Sequence, residues 1–162
     1  MNVINTPRLQ LRGMIAEDLE PLLALTSDPE VMAFVGDGQT LDRAATALWI
    51  ENAAAALRAS DVGSRAVVLR ETGKVIGWAG IIPTAVQGRV ELIYGFSRPY
   101  WGQGYASEAA AALLEATEAG PVDATIDPSN HASRRILQRL GFLAVGEEQD
   151  EHGLPTLRLR RP

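Results

Sequence analysis

The sequence predicts a mixed α/β fold in a single domain, with helices on both faces of one sheet. Between residues 65 and 96, apolar side chains recur with period two in each of three segments. The turns that join these segments are too short for a helix, so antiparallel strands are expected. Helical patterns precede these segments, and helices and strands follow them in turn. This order predicts a mostly antiparallel sheet, with parallel pairing only around a glycine-rich turn after the third strand.

The first third of the chain predicts one strand and three helices. In chain order these are Thr6–Arg12, then Ala16–Ser27, Pro29–Phe34 and Leu41–Ala59. Apolar and polar side chains alternate in the strand, whereas leucines form one apolar face of the first helix. Gly36 and Gly38 interrupt the pattern between the last two helices.

The remaining elements begin with the three alternating segments. The predicted strands are Arg65–Arg70, Lys74–Ile82, Arg89–Phe96, Val122–Ile126, Phe142–Val145 and Leu154–Arg160, and the predicted helices are Tyr105–Ala119 and His131–Leu140. Gly120 and Pro121 should stop the first of these helices, and Gly141 the second. A polar loop, Glu147–Gly153, is expected between the last two strands.

Composition excludes several classes of protein. A chain of 162 residues, 46% of them hydrophobic, suits one domain with a full core. The net charge of −5 argues against non-specific nucleic-acid binding. The absence of cysteine excludes disulfides, thiolate metal sites and a cysteine nucleophile, and the two histidines have no metal-ligand spacing. With neither a secretory signal nor an apolar membrane span in the sequence, we expect a cytoplasmic protein.

A glycine-rich turn between a strand and a helix is the most informative feature. Gly102 and Gly104 let the backbone approach a ligand closely, and the start of the following helix offers free N–H groups to an anion. The turn therefore predicts binding of a phosphorylated small molecule. A dinucleotide fingerprint is incomplete, because Ser107 occupies its third glycine position, and the lysine of a nucleoside-triphosphate loop is absent.

Three segments together resemble the GCN5-related N-acetyltransferase superfamily, particularly its branch of ribosomal-protein N-terminal acetyltransferase-like enzymes. They are Thr6–Arg12, the stretch Glu91–Glu108 with its Tyr-Trp-Gly-Gln-Gly-Tyr-Ala core, and the stretch from Asn130 to Phe142. The element order matches that family over essentially the whole chain. The resemblance implies a single acetyl-CoA-dependent domain spanning residues 1–162.

The resemblance also implies which residues hold the cofactor. Backbone N–H groups of the glycine turn would bind the pyrophosphate of coenzyme A: Trp101, Gly102, Gln103, Gly104, Tyr105, Ala106 and Ser107. Amides and carbonyls at the preceding strand edge would bind the pantetheine arm: Tyr94, Gly95, Phe96 and Ser97. Asn130 is expected to cap the last helix and to contact the same arm.

Two residues resemble the catalytic groups of the family. Glu91 corresponds to its glutamate base, although a strand carboxylate that faces solvent or pairs near Arg89 would look the same in sequence. Ser133 is a candidate acid or hydrogen-bond donor for the leaving thiolate, or simply a capping partner at a helix start. A tyrosine that protonates the thiolate in many relatives is replaced here by Leu137.

The resemblance thus implies direct acetyl transfer from acetyl-CoA to a primary amine, without a metal or a covalent intermediate, by a monomer or homodimer. A non-catalytic acyl-CoA-binding module is the alternative, since Leu137 lacks a hydroxyl. Trp49, Phe34 and the acidic run Glu147–Glu151 are candidates for acceptor selection. The acidic run would favour a cationic acceptor, but such runs are also common in solvated loops.

Overall fold

The computed structural model describes residues 2–118 and 120–162, and an eight-stranded mixed sheet organises them. The strands are β1 (Ile4–Asn5), β2 (Leu9–Arg12), β3 (Gly63–Leu69), β4 (Val75–Pro83), β5 (Val90–Phe96), β6 (Val122–Ile126), β7 (Leu143–Gln149) and β8 (Pro155–Arg161). Their spatial order is β1-β2-β3-β4-β5-β6-β8-β7. Among the described strands, only β5 and β6 pair in parallel, which confirms the predicted sheet.

Helices cover both faces of this sheet, as the sequence predicts. They are α1 (Leu19–Thr26), α2 (Pro29–Met32), α3 (Arg43–Ser60), α4 (Tyr105–Ala116) and α5 (His131–Arg139). Leu113 of α4 and Leu137 of α5 are buried in one cluster, on one face. Leu22 of α1 and Ile50 of α3 are buried with Trp78 in a second cluster, on the other face. Among the described residues, no helix is long and apolar enough to cross a membrane.

Capping residues explain where several helices begin. The side chains of Asp28, Asp42 and Asn130 accept hydrogen bonds from backbone N–H groups in the first turns of α2, α3 and α5. At the other end of α3, Asp61 adopts a left-handed conformation with φ of 57°, as helix-terminating residues often do.

The structure corrects some predicted boundaries. The sequence missed β1, a two-residue strand that pairs with β2. Residues 147–149 of the predicted polar loop extend β7 and pair with β8. α4 ends at Ala116, and its predicted last residue, Ala119, lies outside the described residues.

Candidate active site

The predicted functional site lies where two strands of the sheet separate. β5 and β6 pair only at Val90 with Val122 and at Glu91 with Asp123. Beyond these pairs β5 continues along β4 to Phe96, while β6 continues along β8. A gap therefore opens at the carboxyl ends of the only parallel pair in the described sheet, which is where ligands usually bind in α/β sheets.

The glycine turn leads from this gap into α4. Gly102 and Gly104 have φ values of 73° and 82°, a left-handed conformation that costs other residues roughly 1–2 kcal/mol. Gly104 is the N-cap of α4 and makes no side-chain capping bond, so the first N–H groups of the helix face the turn. Both glycines are thus required by the backbone geometry of the turn, and free N–H groups at a helix start are suited to binding an anion.

Of the four residues at the edge of β5 that were expected to offer backbone groups to a ligand, not all direct them toward the gap. The amide of Ser97 donates to the carbonyl of Ile76 on β4 at 2.9 Å, so it is directed away from the gap. Because backbone groups of an antiparallel strand point alternately to its two neighbours, those of Tyr94 and Phe96 are directed toward the gap. The indole Nε1 of Trp101 donates to the Phe96 carbonyl at 2.7 Å and so ties the glycine turn to the end of β5.

A brace of three side chains, Thr6, Arg8 and Glu108, connects the first strand region to the start of α4. Glu108 accepts hydrogen bonds from the Thr6 hydroxyl at 2.5 Å, the Arg8 amide at 3.0 Å and Arg8 Nε at 2.8 Å. Arg8 Nη1 also donates to the carbonyl of Gln103 at 2.8 Å, and its guanidinium lies over the Tyr105 ring. Through the contacts of Arg8 with Gln103 and Tyr105, the brace therefore fixes the glycine turn to the first strand region.

Sequence reasoning missed this brace, although both of its ends lie in segments that the sequence singled out. An acidic residue in the first turn of a helix is a recognised signal, since it interacts favourably with the helix dipole. Burial alone would raise the pKa of Glu108, but the hydrogen bonds from Thr6 and Arg8 outweigh burial and lower it. Glu108 thus acts as an ionised carboxylate that accepts hydrogen bonds from Thr6 and Arg8.

Glu91 is half-buried at the point where the strands part. Burial raises the pKa of its carboxyl group above the ordinary value, and attraction to Arg158 opposes part of that rise. A cavity of about 440 Å³ opens beside Glu91, between the turn after β4 and strands β6, β7 and β8. A raised pKa beside an open cavity suits a group that exchanges protons with a ligand.

The carboxylate of Asp123 organises the charges around Glu91. Asp123 is buried and accepts hydrogen bonds from Arg160 Nε at 2.6 Å and from Arg158 Nη1 at 3.0 Å, and the bond from Arg160 contributes most to lowering its pKa. Arg89 lies 3.5 Å from the same carboxylate. Arg158 also pairs with Glu148 at 2.8 Å. Part of the acidic run is therefore neutralised within the protein.

Ser133, Asn130 and Tyr94 meet at the other side of the gap. The side chain of Asn130 accepts from the Ser133 amide at 3.2 Å, which confirms the predicted cap. The hydroxyls of Ser133 and Tyr94 lie 2.9 Å apart, a contact that the sequence did not reveal. Leu137 is only 1% exposed and packs into the core.

Trp49 and Phe34, two of the candidates for acceptor selection, lie in different surroundings. Trp49 packs edge-on against Trp78, with ring centroids 5.4 Å apart, and thus belongs to the second core cluster. Phe34 is 50% exposed.

The chain is similar to known acetyltransferases in sequence. The sequence model described as an acetyltransferase (GNAT) domain matches residues 8–143. The uncharacterized protein YkkB of Bacillus subtilis (strain 168) is 32% identical over 144 residues, which cover 85% of this chain and 83% of that protein.

Solved structures share the fold. A GNAT-family acetyltransferase from Bacillus anthracis is 23% identical and has a TM-score of 0.86, with 98% of this chain and 97% of that chain covered. RimL, a ribosomal L7/L12 alpha-N-protein acetyltransferase solved with coenzyme A, is 15% identical and has a TM-score of 0.82, with 99% and 97% covered. These findings confirm the resemblance drawn from the three sequence segments. Because the family's sequence model matches most of its length, the chain belongs to the GNAT acetyltransferase family.

Proposed function

We propose that this chain, acting as one domain over residues 1–162, transfers the acetyl group of acetyl-CoA directly to a primary amine. The acceptor would be a peptide N-terminus or a small-molecule amine. The observation that carries the proposal is the gap between β5 and β6, which leads into a turn with two left-handed glycines at the start of α4. The coenzyme A complex of the structurally similar RimL supports the choice of cofactor.

Coenzyme A would lie along this path. The pyrophosphate would accept hydrogen bonds from backbone N–H groups between Gly102 and Ser107, where the helix dipole also favours negative charge. The pantetheine arm would enter the gap and bond to backbone groups of Tyr94 and Phe96, with Gly95, Ser97 and Asn130 alongside. The arm would take the place that β6 would occupy if it stayed paired with β5 beyond Glu91.

Glu91 would serve as the base for the amine. An ammonium group must lose a proton before its nitrogen can attack. Burial raises the pKa of Glu91, which makes its carboxylate a stronger base. The nitrogen lone pair then attacks the acetyl carbonyl carbon. The C–S bond breaks, and its electron pair moves to the sulfur of coenzyme A.

Ser133 would stabilise that sulfur. Its hydroxyl lies in the first turn of α5, 2.9 Å from the hydroxyl of Tyr94 on β5. A hydrogen bond from this hydroxyl to the developing thiolate would act mainly in the transition state, which is the condition for raising the turnover rate. As the adduct collapses, the nitrogen loses its second proton to solvent, and the thiolate takes up one proton from solvent. The proton held by Glu91 also returns to solvent, so one proton is released overall.

A thiol-release assay tests the proposal. The protein is incubated with acetyl-CoA and a panel of N-terminal peptides, polyamines, amino acids and aminoglycosides. We expect release of free coenzyme A together with an acetylated amine detected by mass. Tight binding of acetyl-CoA with no acetylation of any amine would instead support the non-catalytic binding module, and binding of NAD or NADP in place of acetyl-CoA would contradict both.

A further inference from the structure

A tyrosine and a serine from separate elements form a hydroxyl pair next to the gap. Tyr94 on β5 and Ser133 on α5 are 39 residues apart in sequence, and their hydroxyl oxygens lie 2.9 Å apart. Both are half-buried, and Tyr94 packs against the core cluster that contains Leu137. Burial raises the pKa of the Tyr94 phenol, while the bond with Ser133 opposes that rise, so the phenol stays protonated near neutral pH.

The acidity of each hydroxyl and the number of bonds it can accept indicate which one donates. A serine hydroxyl has one proton and can accept two bonds, whereas a phenol is the stronger acid and therefore the preferred donor. If Ser133 donated instead, the half-buried phenol proton of Tyr94 would need another acceptor, and leaving it unpaired would cost about 1–3 kcal/mol. These considerations favour the arrangement in which Tyr94 donates and Ser133 accepts.

This arrangement leaves the proton of Ser133 available for another acceptor. The Ser133 amide is already bonded to Asn130, which fixes the start of α5 and the position of the Ser133 side chain. With one lone pair of its oxygen occupied by Tyr94, the hydroxyl can turn its proton toward the gap. A hydroxyl that accepts one bond also becomes a stronger donor, because hydrogen bonds in a chain polarise one another.

We propose that Tyr94 is a positioning residue for the transfer: its phenol donates to Ser133 Oγ and thereby directs the Ser133 proton toward the sulfur of coenzyme A. This inference rests on the proposed function and extends it. No proton leaves Tyr94. The sulfur gains a hydrogen bond from Ser133 as the C–S bond breaks, and Tyr94 acts only by orienting and polarising that donor.

The two sides of the reaction are separated by the sheet. Side chains three residues apart on a strand point to opposite faces, so Glu91 and Tyr94 approach the gap from opposite sides. Glu91 faces the cavity beside Arg158, on the side where an amine could enter. The pair of hydroxyls lies on the face that α4 and α5 cover, where the leaving group would be stabilised.

The test measures the sulfur directly, before any chemistry occurs. Coenzyme A is bound to the wild type, Tyr94→Phe, Ser133→Ala, Ser133→Thr and the double variant, and its thiolate absorbance is titrated with pH. Calorimetry records the affinity for coenzyme A in each case. A hydrogen bond to the thiolate lowers the thiol pKa, so we expect this pKa to rise by about one pH unit in Tyr94→Phe and at least as much in Ser133→Ala.

Four further results are expected. Affinity for coenzyme A stays close to that of the wild type, and Ser133→Thr, which keeps a hydroxyl, retains a low thiol pKa. With an accepted amine, turnover falls about tenfold in Tyr94→Phe and about 10²-fold in Ser133→Ala. The double variant resembles Ser133→Ala, because Tyr94 acts through Ser133.

Failure of the proposed function and failure of this inference would give different results. A wild type that binds no coenzyme A would overturn the proposed function and this inference together. A wild type that binds it, with the same thiol pKa in Tyr94→Phe as in the wild type, would overturn the inference alone. Effects of the two substitutions that multiply in the double variant would also overturn it, since independent effects would mean that Tyr94 does not act through Ser133.

Discussion

The brace of Thr6, Arg8 and Glu108 gives the prediction with the clearest structural basis. Glu108→Gln preserves the shape of the side chain and removes its charge. Glutamine has one acceptor oxygen, whereas Glu108 uses Oε2 for Thr6 and the Arg8 amide and Oε1 for Arg8 Nε. An amide NH₂ group must therefore face a donor.

The magnitude follows from these three bonds. Hydrogen bonds to a charged group contribute about 1.5–3 kcal/mol each, and neutral ones about 0.5–1.5 kcal/mol. Losing one bond and weakening the others should lower the free energy of unfolding by about 2–4 kcal/mol. Urea unfolding at neutral pH measures this difference. Glu115→Gln is the matched control, because Glu115 lies exposed on the same helix and should change stability by less than about 0.5 kcal/mol.

The stability difference should also depend on pH. The pKa of Glu108 is lowered in the folded state from its ordinary value of 4.5, so its stabilisation is complete above that pH and is lost as the pH falls through the folded pKa. The wild type and Glu108→Gln should therefore converge in stability in acid. Equal losses in Glu108→Gln and Glu115→Gln, or a difference that does not change with pH, would refute the reasoning.

Two other substitutions test the site. Gly104→Val should weaken coenzyme A binding at least tenfold by calorimetry, because Gly104 has a φ of 82° and the backbone must approach the pyrophosphate there. Gly88→Val is the control: Gly88 has a φ of 81° in the turn between β4 and β5, and its substitution should leave binding unchanged. Glu91→Gln should lower turnover by about 10²–10⁴-fold near neutral pH and recover partly in alkali, where free amine is abundant. Full turnover with an unchanged pH profile would assign proton removal to water.

Much of the fold was predictable because its elements carry local signals. Alternation and short turns identified β3, β4 and β5, and the capping residue Asn130 marked the start of α5. β1 was missed because two residues are too few to show a period. β7 was predicted too short because all of its residues are exposed, so its polar end shows no alternation of buried and exposed side chains.

The site was predictable only in part, for a related reason. The left-handed glycines were identifiable because the backbone itself requires that residue type. The contact between Arg8 and Glu108 spans 100 residues, and that between Tyr94 and Ser133 spans 39, so neither leaves a pattern in the local sequence. Likewise, Arg158 resembles a solvated arginine in sequence, and only the pairing of β6 with β8 places it beside Asp123.

A crystal structure with coenzyme A tests the central claim most directly. The account predicts that pyrophosphate oxygens lie about 3 Å from backbone nitrogens between Gly102 and Ser107, and that the sulfur lies in the gap between β5 and β6 within about 3.5 Å of Ser133 Oγ. Coenzyme A bound elsewhere, for example in the cavity lined by Arg12, Lys74 and Tyr100, with the gap unoccupied, would contradict it.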